Sequence, residues 1–310
     1  PGLKVEFNFL IETWRRIGAI RKNRTVFLSI LGISWFWFYG ALFLAQLPAF
    51  GSRVLGGGES AVTLLLATFT VGIGLGSMLC ERLSGKHIEM GLVPFGSIGL
   101  TLFALDLGLF APVPVVGTTL SVADLLAKPA IWRVLFDLAM LGVFGGFFTV
   151  PLYAIMQRYS ARRTRARTVA ANNIFNALFM VVGAFAAAGV LALGATIPQL
   201  FVLTAIGNAL VALYIYGLLP EFLQRFVVWM MMHTATKLKT EGVEENIPEH
   251  GAAILLFEQA TPAGILAIMA ACRRPVRFVV PAESLKHPVL GFVLRQSRCI
   301  VRAMDDDAAV

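Results

Sequence analysis

The stretch Gly72-Ile-Gly-Leu-Gly-Ser-Met-Leu-Cys-Glu-Arg-Leu-Ser-Gly-Lys86 changes character in its middle. Up to Cys80 it is apolar and rich in small residues. From Glu81 to Lys86 it is a short charged turn, and a new apolar run begins at Gly91. Gly72 and Gly76 stand four apart, so they share one helix face and let another helix approach closely. Glu81, Arg82 and Lys86 are costly to place in hydrocarbon, so they mark a membrane surface. Two membrane helices therefore meet through a tight charged turn.

Composition agrees with that reading. The chain has 310 residues, 57% of them hydrophobic and 14% charged, against about 25% charged in soluble domains. The formal net charge of +8 serves membrane topology and anionic lipid in a chain of this kind, so nucleic acid is not the expected partner. Cys80, Cys272 and Cys299 are scattered and follow no disulfide or metal-ligand spacing, so no metal is expected. The first residue is Pro1 and no signal peptide is in view, from which a piece of a longer polypeptide is expected.

Moving outward, six apolar segments each approach the ~20 residues that a spanning helix needs. They run over about Val26–Leu47, Ala61–Leu79, Leu92–Phe110, Trp132–Tyr153, Val169–Leu193 and Pro198–Leu219. Before them, residues 1–24 form a basic linker in which Phe7, Leu10, Ile11 and Trp14 fall at helical spacing, as in a surface-lying segment. The loops alternate in charge. Arg53 and Glu59 balance in the first. Arg158, Arg162, Arg163, Arg165 and Arg167 crowd the fourth without an acid, and the fifth is uncharged. Basic loops face the cytoplasm, so both termini are expected there.

After the spans, Leu223, Phe226, Val227, Met230 and Met231 recur at three and four, which predicts an interfacial helix over 220–240. Residues 241–310 then alternate in the manner of an α/β piece. Ala252–Phe257 reads as a buried strand, Pro262–Ala271 as a helix, Val276–Val280 as a second strand, Pro288–Ser297 as a second helix and Cys299–Arg302 as the start of a third strand, with parallel pairing. The expected fold class is thus an all-α membrane protein of six transmembrane helices, residues 25–219, with a partial α/β tail.

Polar residues inside the spans are the candidates for chemistry. Asp137 sits within the fourth span, where a carboxylate must be paired or hydrated. It reads either as a cation or head-group site, with Arg133 one turn before it, or as half of a salt bridge within its own helix. Asp106, near the end of the third span, has the same two readings. Asn172, Asn173 and Asn176 open the fifth span. Asn172 and Asn176 share a face and either glue helices or line a path. Trp35, Trp37 and Tyr39 line a lipid-tail path or pack. The arginines of the fourth loop set topology, or form a gating bridge with Glu81.

Several of these words resemble a known family. Gly76, Glu81, Arg82, Gly85 and Lys86 match the charged loop G-x-x-x-D/E-R-x-G-R/K of the major facilitator superfamily, with Ser84 shifting the register. Gly91-Leu-Val-Pro-Phe-Gly96, Trp132-Arg-Val-Leu-Phe-Asp137, Gly145-Gly-Phe-Phe-Thr-Val-Pro-Leu-Tyr153 and Arg165-Ala-Arg-Thr-Val-Ala-Ala-Asn-Asn173 resemble its lysophospholipid transporter branch. The resemblance spans about Thr25–Pro220. It implies the C-terminal six-helix half of a permease that moves lysophospholipid across a bacterial inner membrane. Its N-terminal six-helix half would be supplied by the same polypeptide, and no cofactor is implied. The polar residues within the spans, Asp137, Arg133, Asp106, Asn172 and Asn176, are then the candidates for substrate binding or transport.

The tail carries a second resemblance. Glu245-Asn-Ile-Pro248, Arg273-Arg-Pro-Val-Arg-Phe-Val279 and Lys286-His-Pro-Val-Leu-Gly291 look like the start of a glycerolipid acyltransferase domain. That family uses N-H-x-x-x-x-D, in which His is the general base and Asp orients it. Here Gln259 stands for the His and Gly264 for the Asp. A Gln amide takes no proton near neutral pH and Gly has no side chain, so no catalytic residue is expected. A membrane-anchored acyltransferase of phospholipid remodelling is the alternative reading, and a docking surface a third.

Overall fold

The computed structural model describes residues 23–84, 89–113, 119–218, 220–234, 242, 246–247, 253–256, 261–272, 276–297 and 299–302. Six helices are long and apolar enough to cross a membrane: Arg24–Val54, Glu59–Leu83, Leu92–Leu109, Pro129–Arg158, Arg165–Ala192 and Ile197–Gly217. The chain is a multi-pass membrane protein by that criterion. The helices overrun the apolar segments at several ends, because helical hydrogen bonding continues into the polar flanks.

Each boundary has a local cause. Asn23 caps the first span by accepting from the Val26 N–H at 3.2 Å. Toward its other end Pro48 interrupts the helix, and the last turn, Phe50–Val54, widens to π geometry. Pro129 occupies the first turn of the fourth span, where its missing N–H costs nothing. Ahead of it, Ser121 and Asp124 form a reciprocal capping box on the short helix Val122–Leu126. The Ser121 hydroxyl and N–H hold the Asp124 carboxyl below the ordinary carboxylate range.

The fourth span is the hub of the first compact unit, 1–213. It packs against the second, third and first spans, and the first also packs against the fifth. Glycine decides how closely. A Cβ on Gly72 would run into the Ala139 carbonyl, and one on Gly76 into the Val143 carbonyl. From the facing side, Gly142 lies on the Phe69 carbonyl and Gly146 on the backbone of Gly76. The close approach that Gly72 and Gly76 permit is therefore made with the fourth span, not with the third, to which the charged turn joins them. Gly96 lies on the Phe148 backbone in the same way. Phe43, stacked on Phe201 with centroids 4.4 Å apart, ties the first span to the sixth, and the buried Tyr39 hydroxyl donates to the Leu100 carbonyl of the third at 2.9 Å.

The second compact unit, 214–310, starts within the sixth span rather than after Leu219. Its core gathers Val228, Ile265, Leu266, Met269, Phe278, Val280, Leu290 and Leu294. The helices are Pro220–Thr234, Pro262–Ala271 and Pro288–Gln296, and strands Val279–Pro281 and Ile300–Arg302 pair in parallel. Two expectations need correction. Val227, Val228 and Met231 pack into this core, so part of the face expected to lie on a membrane surface covers the unit's own interior. Residues 253–256 form no strand: Ile254 and Leu256 are 89% and 94% exposed, and no strand pairs with them among the described residues. Glu258 and Gln259 lie outside the described residues.

Candidate functional site: a charged cluster and two polar clamps within the spans

The third span ends where the fourth begins, and this brings Asp106 to Arg133. The guanidinium grips the carboxylate with two hydrogen bonds, Nε to Oδ2 at 2.8 Å and Nη2 to Oδ1 at 2.6 Å. This fork is the strong form of the carboxylate–arginine pair. The Arg133 Cζ also stands 3.8 Å from the centroid of the Phe110 ring, which offers the cation a π face. The pair is partly open, with side chains 46% and 30% exposed.

Asp137 lies one turn further along the fourth span and is only 2% exposed. Asp106 and Arg133 are its charged neighbours. Arg133 is thus engaged across helices with Asp106. The salt bridge within one helix, between Arg133 and Asp137, is not formed. The cluster holds two carboxyls and one guanidinium, and Arg133 is forked onto only one of them. A further group bearing a positive charge or a proton would complement it.

Asn172 and Asn176 are buried, at 1% and 7% exposure, while Asn173 is exposed on another face of the same helix. In the amide orientation that satisfies both its atoms, Asn176 donates to the Ser34 hydroxyl at 2.8 Å and to the Asn172 carbonyl at 3.1 Å. It then accepts from Asn172 Nδ2 and Trp37 Nε1, each at 3.1 Å. Trp37 Nε1 also lies 3.1 Å from the Tyr153 hydroxyl, to which it donates. These contacts clamp the first, fourth and fifth spans together. Asn172 Oδ1 is buried and has no hydrogen-bond partner among the described residues.

A second clamp was not visible in the sequence. Trp35 Nε1 donates to Asn208 Oδ1 at 2.9 Å, and Asn208 Nδ2 donates to the Ser97 carbonyl at 3.0 Å and the Thr101 hydroxyl at 2.9 Å. It joins the first, third and sixth spans. A lone Asn within an apolar segment was the only available signal. Both tryptophans are therefore hydrogen-bonded crosslinks between spans.

Elsewhere the expected sites separate. Gly76 is a packing residue, and Glu81 and Arg82 are exposed at the end of the second span. Gly85 and Lys86 lie outside the described residues. No ion pair joins Glu81 to Arg162, Arg163, Arg165 or Arg167 among the described residues. Gly264 sits in the first turn of its helix, where its N–H donates to the Thr261 hydroxyl at 3.1 Å; it offers backbone only. No group of three or more His, Cys, Asp or Glu suited to a metal occurs among the described residues. Compared with protein-family models, with curated proteins and with solved structures, the chain matches none.

Proposed function

We propose that this chain is the six-helix half of a transporter for lysophospholipid, seated in a bacterial inner membrane with both ends in the cytoplasm. A second six-helix half completes the path. The observation that carries the reading is Asp137, a carboxyl 2% exposed within a spanning helix, beside an arginine already forked onto another carboxylate. An ionisable group at such a position is expensive and marks a path for charge or substrate. Its surplus of negative charge suits the ammonium of a phospholipid head group. The family resemblance of the spans gives the substrate class, and the amide clamps crosslink the bundle that carries the site.

The test is uptake of labelled lysophosphatidylethanolamine into spheroplasts carrying the full parent polypeptide. Asp137→Asn should lower uptake about tenfold or more, in keeping with loss of an essential intramembrane charge, at unchanged protein level in the membrane. Uptake equal to that of the unsubstituted protein would return Asp137 to a packing role.

A further inference from the structure

The turn between the fourth and fifth spans concentrates positive charge to a degree that connection alone does not require. The fourth span ends at Arg158 and the fifth starts at Arg165, so only Tyr159–Thr164 lies between. Arg162, Arg163, Arg165 and Arg167 are all exposed. None has an ion pair or side-chain hydrogen bond among the described residues, and the first turn of the fifth span contains no acid. Asn23 Nδ2 donates to the Tyr159 carbonyl at 3.0 Å, which fixes the start of the first span, with exposed Arg24, beside this turn. A connection this short cannot carry its tip more than roughly 10 Å beyond the helix ends. With the fourth and fifth spans crossing a bilayer, so short a turn would keep the guanidiniums within about one Debye length of the lipid head groups.

Four unpaired arginines set next to one another repel, and the basic residues at the start of the fifth span also oppose the sign of its helix dipole. An anionic layer beside them relieves both costs. Guanidinium matches the phosphate oxygens in fork geometry and sheds water more readily than an ammonium does. We propose that Arg162, Arg163, Arg165 and Arg167 form a binding surface for the phosphate of anionic phospholipid head groups. It is separate from the Asp137 cluster and independent of what the bundle transports.

The experiment is native mass spectrometry of the purified, delipidated full chain with phosphatidylglycerol or phosphatidylcholine of matched acyl chains. The unsubstituted chain should retain phosphatidylglycerol preferentially, and less so as ionic strength rises. The variant R162Q/R163Q/R165Q/R167Q should lose about tenfold or more of that preference, with phosphatidylcholine retention unchanged. The corresponding four-lysine variant should keep most of it. Because both faces are open in detergent, a change in membrane orientation caused by the substitutions cannot mimic the result. Should the four-glutamine variant fail to fold, R162Q/R163Q, confined to the turn, should still lose part of the preference. Equal retention of the two lipids, a preference untouched by salt or by these substitutions, or displacement by an equal concentration of glycerol 3-phosphate or an acidic peptide would overturn the proposal.

Discussion

Gly76 rests on the backbone of Val143, with no room for a Cβ between them. Two helices distant in sequence are thereby brought to backbone contact, and the contact depends on glycine at Gly72, Gly76, Gly142 and Gly146. Gly76→Leu should force the second and fourth spans apart and cost about 1–3 kcal/mol or more, as overpacking does. Gly74→Ala is the internal control, because a Cβ there meets nothing within 4 Å. Thermal unfolding in mild detergent should show a lower midpoint for the first variant and an equal or slightly higher one for the second, because alanine favours the helix.

Asp106 and Arg133 are joined by a two-point fork but are partly exposed. A double-mutant cycle with Asp106→Asn and Arg133→Gln should give a small favourable coupling, as exposed pairs do. The reversed pair, Asp106→Arg with Arg133→Asp, should recover stability better than either single reversal. Asp137→Asn should leave stability unchanged or raise it, because a buried carboxyl that serves function is a burden on the fold. The same detergent unfolding assay measures all of these variants.

Cys272 closes the helix Pro262–Ala271 and is buried. Burial pushes its thiol above the ordinary range, and Arg225 acts in the opposite direction. The thiolate is the reactive form, and each unit of upward shift removes about tenfold of it at fixed pH. Alkylation of folded Cys272 by iodoacetamide should therefore lag behind that of the unfolded chain and rise at a higher pH. Arg225 also donates to the Met269 and Cys272 carbonyls, at 3.0 and 2.9 Å. Arg225→Ala should move the profile further upward if the helix end stays closed. Peptide mapping after a timed pulse reads the rate.

Orientation is open to a direct check. Ser60 and Arg163 are exposed at opposite ends of the spans, whereas Gly57 is unsuitable for a cysteine because its Cβ would strike Ala61 and Leu125. With the termini cytoplasmic, Ser60→Cys should react with an impermeant maleimide in intact cells and Arg163→Cys only after lysis. The opposite pattern would invert the bundle.

What the sequence made legible follows from range. Apolar segments, caps and helical spacing are local, and the six spans and the helix Pro262–Ala271 could be read from them. The Gly72 and Gly76 face was legible too, but its partner was not, because nothing local distinguishes the fourth span from the third as the helix that fits. Arg133 could be matched only with its near neighbour Asp137, since Asp106 enters its reach through the packing of two helices. Trp35 and Trp37 looked alike until their partners, Asn208 and Tyr153, arrived from distant parts of the chain. The run at 253–256 had the composition of a buried strand, but burial needs a neighbouring strand that composition cannot supply.

The contact between the second and fourth spans also bears on how the protein is made. Helices that enter a membrane one after another are often pictured as pairing with the neighbour just made. Here the small-residue face of the second span fits a helix that has not yet been synthesised. At roughly 5–20 residues per second, synthesis from Gly76 to Gly146 takes on the order of several seconds. During that interval the helix that Gly72 and Gly76 fit is not yet in the membrane. A ribosome pause placed before the fourth span would lengthen this wait, and a nascent chain stalled there would present an open glycine face to any other helix in the membrane.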